Sequence, residues 1–258
     1  MKKAILVVSF GTTYKETRQK TIEACENKII EELSGYDFYR AYTSEKVIKK
    51  IQELENIYVD NIIEALDKLY KNSYKEVIIQ PLHIICGQEF NKLLNQFEHY
   101  KHKFEKLSLG RPLLAYEDDY KEVVSALKIQ IKQIEKNEAI IFIGHGSSNN
   151  ENDIYSSINT MLMNEYINTY LVTLENYFQL NKIIKILKKE NIDVVNLMPF
   201  MLVAGYHVIK DIMSDDTNSL KSILSKNGFE VKVHIQGLGE NIKIQEKFAN
   251  HAKNCYIS

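Results

Sequence analysis

Two histidines and one glutamate are the residues whose types and spacing most clearly suggest chemistry. His145, Glu175 and His207 each come at or just after the end of a short apolar run. In open parallel sheets, ligands bind outside the carboxyl ends of the strands, so side chains in these positions would converge. Two imidazoles and one carboxylate form an open site for a divalent metal, with positions left for exchangeable ligands.

Each of these residues also has a purely structural interpretation. A single histidine after a strand is more often a hydrogen-bonded structural residue than a ligand. Glu175 suits the first turn of a helix, where the dipole favours a carboxylate, and His207 suits a helix start. The sequence Gly144-His145-Gly146 favours the functional interpretation, because flanking glycines let another group approach the ring closely. Their joint occurrence after three separate runs favours a shared site.

The elements that must position these side chains are visible as alternating patterns. Short apolar runs such as Ile5–Val8 and Ile140–Ile143 suit strands buried on both faces, as in a parallel sheet. Longer segments of helical period lie between them, which indicates an α/β fold with right-handed crossovers. The predicted strands are Ala4–Ser9, Phe38–Thr43, Glu76–Pro81, Lys106–Leu109, Ala139–Gly144, Thr169–Leu174, Val194–Met198 and Val231–Ile235. Helices predicted between them include Lys15–Leu33, Val59–Tyr70, Tyr177–Lys189 and Val208–Leu224.

An internal repeat runs through the chain. The segment Ala4–Thr13 aligns with Ala139–Ser148, and Val77–Glu89 aligns with Val195–His207. Two of the three prolines and two pairs of glycines fall in register, which chance rarely produces when prolines are so scarce. The repeat therefore predicts two similar α/β halves.

The predicted domains are residues 1–125 and 126–258, joined through an amphipathic helix over Asp118–Ile134 and packed together around a cleft. The second domain carries the three metal-ligand candidates. In the repeat alignment the first domain has mostly uncharged groups at the same places: Phe10 for His145, Thr43 or Ser44 for Glu175, and Glu89 for His207.

Other candidate sites are less specific. The turns that begin at Gly11 and Gly146 suit anion binding through free backbone N–H groups, and they suit ordinary helix capping equally well. His83, Cys86 and Glu89 could form a second metal site, although their spacing is not specific. The remaining histidines, His99, His102, His234 and His251, are expected to be solvated.

Composition excludes several classes of protein. The 258 residues have a net charge of −1, so no global basic field points to nucleic acid or to an anionic membrane. No apolar run approaches the length of a membrane span. Three widely spaced cysteines without a CxxC favour reduced thiols and a cytoplasmic protein. The sequence has no Walker A motif, and Gly237-x-Gly239 lacks the third glycine of a dinucleotide fingerprint.

Several longer motifs resemble those of the anaerobic-pathway sirohydrochlorin cobaltochelatases, which belong to the class II chelatase superfamily. The matching stretches are KKAILVVSFGTT (Lys2–Thr13), LHIICGQE (Leu82–Glu89), GHGS (Gly144–Ser147), MPFMLVAG (Met198–Gly205) and GLGEN (Gly237–Asn241). The resemblance covers essentially the whole chain, in the right order. It implies two flavodoxin-like domains, each with a central parallel sheet flanked by helices, and a tetrapyrrole in the cleft between them.

The resemblance also implies roles for particular residues. His145, Glu175 and His207 would bind the metal, with His145 and His207 also catalytic, and Glu89 would take part in proton removal. Phe10 is expected to form an apolar wall against the macrocycle, and Gly11, Thr12, Ser147 and Tyr206 to contact the substrate. Arg18, Arg40 and Lys210 are further candidate partners for the substrate carboxylates.

The implied reaction is the insertion of Co²⁺ into sirohydrochlorin during anaerobic cobalamin biosynthesis. Co²⁺ is expected as the substrate metal, with Ni²⁺, Fe²⁺ or Zn²⁺ as substitutes and no organic cofactor. The expected partners are the tetrapyrrole and the metal ion, without nucleic acid or membrane, and a homo-oligomer is left open. The alternatives are Fe²⁺ insertion for sirohaem, a non-catalytic carrier of metal or tetrapyrrole, and a metallohydrolase. For the last, the sequence offers no HExxH motif or nucleophile elbow.

Overall fold

The computed structural model describes residues 1–131, 134–146, 152–174, 177–205, 212, 216–217 and 219–255. The chain divides into two compact units. The first comprises residues 1–115 together with 242–258, and the second comprises residues 116–241.

The first unit is built on a parallel sheet with the strand order β3-β2-β1-β4-β5. The central strand β1 is an uninterrupted apolar run whose residues Ala4–Val8 are almost completely buried. Such a strand must be covered on both faces, which is why helices pack on each side of it. The strands are β1 (Lys3–Ser9), β2 (Asp37–Tyr42), β3 (Asp60–Asn61), β4 (Glu76–Pro81) and β5 (Lys106–Leu109).

Most helices of the first unit bury one apolar stripe. In α5, Phe90, Leu93 and Phe97 follow the i, i+3, i+7 spacing of one helix face and pack into the core. The helices are α1 (Lys15–Lys20), α2 (Ile22–Glu32), α3 (Glu45–Glu55), α4 (Ile62–Lys71) and α5 (Gln88–Tyr100), with α11 (Ile242–Lys253) from the far end of the chain.

The second unit has a parallel sheet with the order β7-β6-β8-β9. Its central strand β6 is again fully buried, from Ala139 to Ile143. The strands are β6 (Glu138–Gly144), β7 (Thr169–Thr173), β8 (Val194–Pro199) and β9 (Glu230–Val233). The helices are α6 (Glu117–Ala126), α7 (Lys128–Ile131), α8 (Asn152–Glu165), α9 (Tyr177–Lys189) and α10 (Leu220–Lys226).

The repeat seen in the sequence recurs in the backbone hydrogen bonds. The amide that follows β2 donates from Thr43 to Ser9, and the corresponding amide after β7 donates from Leu174 to Gly144. Gly11 and Gly146 both adopt a positive φ, 84° and 87°. These equivalent hydrogen bonds show that Thr43 in the first unit corresponds to Leu174 in the second. The next residue along the chain, Ser44, therefore corresponds to Glu175.

Two of the helices predicted over fully described residues differ from the observed ones. The segment predicted as one helix over Lys15–Leu33 is broken at Thr21, which has φ −119° and ψ −77° and whose hydroxyl donates to the Thr17 carbonyl. The helix predicted over Val59–Tyr70 begins only at Ile62, because Asn61 caps it with a reciprocal hydrogen bond to Glu64. Of the helix predicted over Val208–Leu224, the structure describes the part that begins at Leu220, where Ser219 caps it, and most of residues 208–218 lie outside the described residues.

The compact units differ from the predicted domains in two respects. The division lies near residue 115 rather than 125, and α11 joins the first unit. The physical reason is burial, because α11 packs on α2 and β4 and places Ile244, Phe248 and Ala252 out of contact with water. In the described residues no helix is long and apolar enough to cross a membrane.

Candidate active site

His145 lies directly after the central strand of the second unit. The strand order places β7 and β8 on either side of β6, and this is the type of position where open α/β sheets bind ligands. Gly144 precedes His145, and a Cβ atom at Gly144 would lie 2.6 Å from the Tyr155 ring. Gly146 follows it with a left-handed φ of 87°. The buried strand thus ends in a turn that leaves the His145 side chain exposed.

The other predicted metal ligands lie outside the described residues. Glu175 and His207 belong to these, together with the predicted substrate contacts Ser147 and Tyr206. Among the described residues, no three His, Cys, Asp or Glu side chains come together as a metal-binding group. The metal site made of His145, Glu175 and His207 therefore stays a prediction.

The segment that leads from β8 toward His207 is held by the GLGEN motif. The amides of Leu238 and Gly239 donate to the carbonyls of Met201 and Leu202, at 2.8 and 3.0 Å. A Cβ atom at Gly237 would lie 2.4 Å from the Leu202 carbonyl oxygen, so glycine is needed for this close approach. The motif has a structural role that its sequence did not reveal, which is to hold the backbone of Met201 and Leu202 after β8.

The equivalent segment of the first unit is held in the same way. After β4, the carbonyls of His83 and Ile84 accept hydrogen bonds from the amides of Leu113 and Leu114, at 2.9 and 2.8 Å. By the repeat alignment, His83 corresponds to Met201. The backbone after this strand is thus held by equivalent hydrogen bonds in the two units, while the side chains that it carries differ.

Glu89 lies in the first turn of α5, just after that segment. Its Oε1 accepts a 2.6 Å hydrogen bond from Lys92, one turn along the helix. Its Oε2 is buried and has no hydrogen-bond partner among the described residues. The Thr43 hydroxyl lies beside the carboxylate but does not complete a hydrogen bond to it.

The ionisation of Glu89 follows from these surroundings. Burial raises the pKa of the carboxyl group, but Lys92, the adjacent Thr43 hydroxyl and His83 lower it. The lowering effects prevail, so the pKa of Glu89 is below its ordinary value. At neutral pH the group is a carboxylate, with one buried oxygen that can accept a proton.

His83 is a functional candidate that the sequence suggested only as part of a second metal site. Both of its ring nitrogens are buried and lack hydrogen-bond partners in the part of the chain that the structure describes. Burial lowers the pKa of His83 to about 4, against an opposing effect of the Glu89 charge. Cys86 packs against the hydrophobic core instead, and His83, Cys86 and Glu89 do not form a metal-binding group.

The loop after β1 contains three predicted substrate contacts. Phe10 is 53% exposed, as an apolar contact surface requires. Gly11 has a positive φ, and a Cβ atom there would lie 2.7 Å from the Tyr42 ring. The Thr12 side chain is buried and its hydroxyl accepts a hydrogen bond from the Tyr14 amide, so it holds the turn itself.

Two arginines that were expected to bind substrate carboxylates form internal ion pairs instead, which corrects that expectation. Arg18 is bidentate to Glu55, at 2.9 and 2.6 Å, and its side chain is 5% exposed. Arg40 pairs in the same manner with the buried Glu26. The third candidate, Lys210, lies outside the described residues.

The prediction that the remaining histidines are solvated is wrong for one of them. His251 on α11 is completely buried, and its ring contacts the Arg111 carbonyl at 3.2 Å. His251 lies on the buried face of this amphipathic helix. The sequence did not show what covers that face, because the helix packs on a segment that is distant in the chain. His99, His102 and His234 are exposed, as expected.

Comparison with known proteins agrees with this architecture over the full length of the chain. The family model described as "Cobalt chelatase (CbiK)" matches residues 3–257. The sirohydrochlorin cobaltochelatase of Salmonella typhimurium is 37% identical over 97% of this chain and 95% of its own. The sirohydrochlorin cobaltochelatase CbiKC of Nitratidesulfovibrio vulgaris is 26% identical over 93% of this chain and 85% of its own.

A solved structure shows the same fold at low sequence identity. The sirohydrochlorin chelatase SirB from Bacillus subtilis, in complex with cobalt, superposes with a TM-score of 0.65 and 15% identity. The match covers 98% of this chain and 95% of SirB. The predicted fold of two similar α/β domains with parallel sheets is confirmed, and the chain belongs to the CbiK family of cobalt chelatases.

Proposed function

We propose that this chain inserts Co²⁺ into sirohydrochlorin. The observation that carries the proposal is the 37% identity, over nearly the whole of both chains, to a protein named for that reaction. Two described residues support it: His145 offers an exposed imidazole, and Glu89 offers a buried carboxylate oxygen that has no hydrogen-bond partner among the described residues.

Insertion requires a protein that holds a partly desolvated ion and then releases it. His145, Glu175 and His207 are the proposed ligands, because two imidazoles and a carboxylate leave coordination positions open for ring nitrogens. Such a ligand set does not select cobalt, since intrinsic affinity rises from Fe²⁺ through Co²⁺ to Ni²⁺. Ni²⁺, Fe²⁺ and Zn²⁺ are accordingly proposed as substitutes.

Two pyrrole N–H protons must also leave the macrocycle. His145 is the proposed acceptor of one, since a neutral imidazole can accept a proton near pH 7. Glu89 is the proposed acceptor of the other. Its Oε2 is buried and free of hydrogen bonds among the described residues, while Lys92 holds Oε1. After transfer the carboxylate becomes a neutral acid and the pyrrole nitrogen is ready to bind the metal.

The proposed substrate contacts complete this assignment. Phe10 offers exposed apolar surface for the face of the macrocycle, and Gly11 and Thr12 shape the loop that presents it. Ser147 and Tyr206 are proposed contacts from the sequence alone. Because Arg18 and Arg40 are paired internally, the peripheral carboxylates must find other partners, among which backbone N–H groups are the simplest.

The test is a turnover assay with sirohydrochlorin and, in separate reactions, Co²⁺, Ni²⁺ or Fe²⁺. The absorption change is followed above the non-enzymatic rate. We expect more than one equivalent of product per chain with Co²⁺, and at least a 100-fold loss of rate in His145→Ala. The matched control is His102→Ala, which removes an equally exposed histidine from the turn after α5.

Three outcomes contradict parts of the proposal. Binding without turnover would make the chain a carrier rather than an enzyme. Turnover faster with Fe²⁺ than with Co²⁺ at equal free metal would favour iron insertion. Normal Co²⁺ insertion by His145→Ala would remove His145 from the mechanism.

A further inference from the structure

We propose that His83 is a positioning residue that acts through Glu89: its imidazole N–H donates to the buried Oε2 of Glu89 and steadies that oxygen as a proton acceptor. The inference rests on the proposed function, since it assigns Glu89 the role described above. It assigns a role to His83, which is not one of the proposed metal ligands.

The first observation is that two unsatisfied polar groups lie near each other. Both ring nitrogens of His83 and the Oε2 of Glu89 are buried, and none has a hydrogen-bond partner among the described residues. The two side chains are close enough for each to influence the ionisation of the other. Buried polar groups in folded proteins are nearly always satisfied, so a pair left open in this way is the exception that needs an explanation.

The second observation is that the two groups are chemically complementary. A neutral imidazole carries one N–H donor, whereas an ionised carboxylate oxygen only accepts. Burial keeps the His83 ring neutral at pH 7, because its pKa is lowered to about 4. The pKa of Glu89 lies below its ordinary value, so its carboxylate is ionised there.

Among the described residues, Oε2 is the oxygen of Glu89 that lacks a hydrogen-bond donor. Lys92 already donates to the opposite oxygen, Oε1, and the Thr43 hydroxyl lies beside the carboxylate without completing a hydrogen bond. In the described residues, Lys92 and His83 are the titratable groups that act on Glu89, and Glu89 is the one that acts on His83.

The backbone holds both residues in place. The His83 and Ile84 carbonyls are bonded to the amides of Leu113 and Leu114. Glu89 is fixed by α5, whose first turn closes with a hydrogen bond from the Asn91 amide to the Gly87 carbonyl. Catalytic hydrogen bonds are often long or misaligned without substrate and tighten in the complex, and a rotation of the imidazole would make this one.

Kinetics of four proteins test the inference: wild type, His83→Phe, Glu89→Gln and the double variant. Phenylalanine keeps a ring but removes the donor. We expect His83→Phe to lower kcat about 10-fold with KM unchanged, and to move the acid limb of the kcat–pH profile upward, because Glu89 loses a hydrogen bond to its charged form. In the Glu89→Gln background the same substitution should cost nothing further.

A conservative variant separates positioning from packing. His83→Gln keeps an N–H donor and should recover most of the lost kcat. Equal loss from His83→Phe in both backgrounds, or an unchanged pH profile, would overturn the inference.

A second measurement needs no activity and no variant at His83. The ring ¹⁵N resonances of His83 are followed against pH in wild type and in Glu89→Gln. Loss of the negative charge should lower the midpoint of the His83 titration, and an identical midpoint in both proteins would overturn the inference. The control is Glu98→Gln, on the same helix and in the same i,i+3 pairing with a lysine. Absence of cobalt insertion by wild type would refute the proposed function instead, and this measurement would still report on the pair.

Discussion

The two oxygens of Glu89 have different surroundings, and this asymmetry is the most informative feature of the site at the scale of single residues. Oε1 is paired with a lysine that is mostly exposed, and Oε2 is buried without a partner in the described chain. Lys92 orients the carboxylate through Oε1, and in the proposed mechanism Oε2 accepts the proton. His83 presents the same combination of burial and missing partners, so the two residues are best understood together.

Replacing Glu89 with glutamine should remove a proton acceptor while preserving size and polarity. We expect Glu89→Gln to lower kcat for Co²⁺ insertion by about 10²–10⁴-fold, the usual contribution of general acid–base catalysis. The measurement is steady-state kinetics with sirohydrochlorin. Glu98→Gln breaks an equivalent lysine pair on α5 and should retain full kcat. Comparable losses in the two variants would mean that the helix, rather than the carboxylate, is being perturbed.

His83 should also make the stability of the fold depend on pH. The folded pKa is about 4, below the value of about 6.5 in the unfolded chain, so the unfolded state binds a proton more readily. The stabilisation is complete above pH 6.5 and is lost as the pH falls toward 4. At pH 5 we expect a loss of about 2 kcal/mol from this group relative to pH 7.

Urea unfolding at pH 7 and pH 5 measures this effect. His83→Gln should show a smaller difference between the two pH values than wild type, by about 2 kcal/mol. His102→Gln, on an exposed histidine, should leave the difference unchanged. If His83→Gln kept the wild-type difference in unfolding free energy between the two pH values, the pH dependence would come from another group.

At the scale of elements, the loops after β4 and β8 are held by hydrogen bonds between backbone groups. In each unit the segment after β4 or β8 pairs with a later segment of the same unit. In the second unit this contact is so close that Gly237 has no room for a Cβ atom. A strained contact here would be transmitted to Gly205, the last described residue before Tyr206 and His207.

Gly237→Ala should therefore be costly. Its Cβ atom would meet backbone atoms of Leu202 and Ala204 at 2.4 and 3.0 Å, and backbone cannot rotate away. We expect a loss of about 2 kcal/mol or more in the free energy of unfolding, measured by chemical denaturation, together with weaker Co²⁺ binding. Gly35→Ala is the matched control, since a Cβ atom there meets nothing within 4 Å. It should change stability by no more than about 0.5 kcal/mol.

At the scale of the whole molecule, the first unit is not continuous in sequence. Its core includes α11, which follows the entire second unit along the chain. Phe248 on this helix is fully buried, and Lys253 forms an ion pair with Glu32 of α2. The stability of the first unit thus depends on residues more than 200 positions away from α2.

Phe248→Ala should weaken the first unit selectively. Removal of a buried aromatic side chain costs about 3–5 kcal/mol, and hydrogen exchange should show the loss in α2 and β1 before β6 and β8. Lys243→Ala, at an exposed position of the same helix, should change exchange rates little. Equal loss of protection in both sheets would show that the two units unfold as one.

Much of this architecture could be predicted from the pattern of residues. The strands Glu76–Pro81 and Lys106–Leu109 were predicted to the residue, because an apolar run in the first and an alternation of apolar and polar residues in the second are typical of strands. The break at Thr21 could not be foreseen, since no glycine or proline marks it. The placement of α11 was also hidden, because a repeat reports local similarity and says nothing about which sheet a helix covers.

The site was predictable to a different extent. His145 follows its strand as expected, and Glu89 lies in a setting that suits a proton acceptor. Arg18 and Arg40 were assigned to the substrate wrongly, because a basic residue looks the same in sequence whether it meets a ligand or an internal glutamate. The sequence suggested His83 only as part of a second metal site, and its proposed role beside Glu89 depends on burial, which no spacing rule reports.

The position of α11 has a consequence for how the protein is made. On the ribosome, residues 1–115 emerge first, yet the helix that completes their core is synthesised only after residues 116–241. While residues 116–241 are being synthesised, the surfaces of α2 and β4 that α11 covers in the folded protein are still uncovered. Synthesis from the N-terminus therefore allows the first unit to be completed only after the second unit has been synthesised.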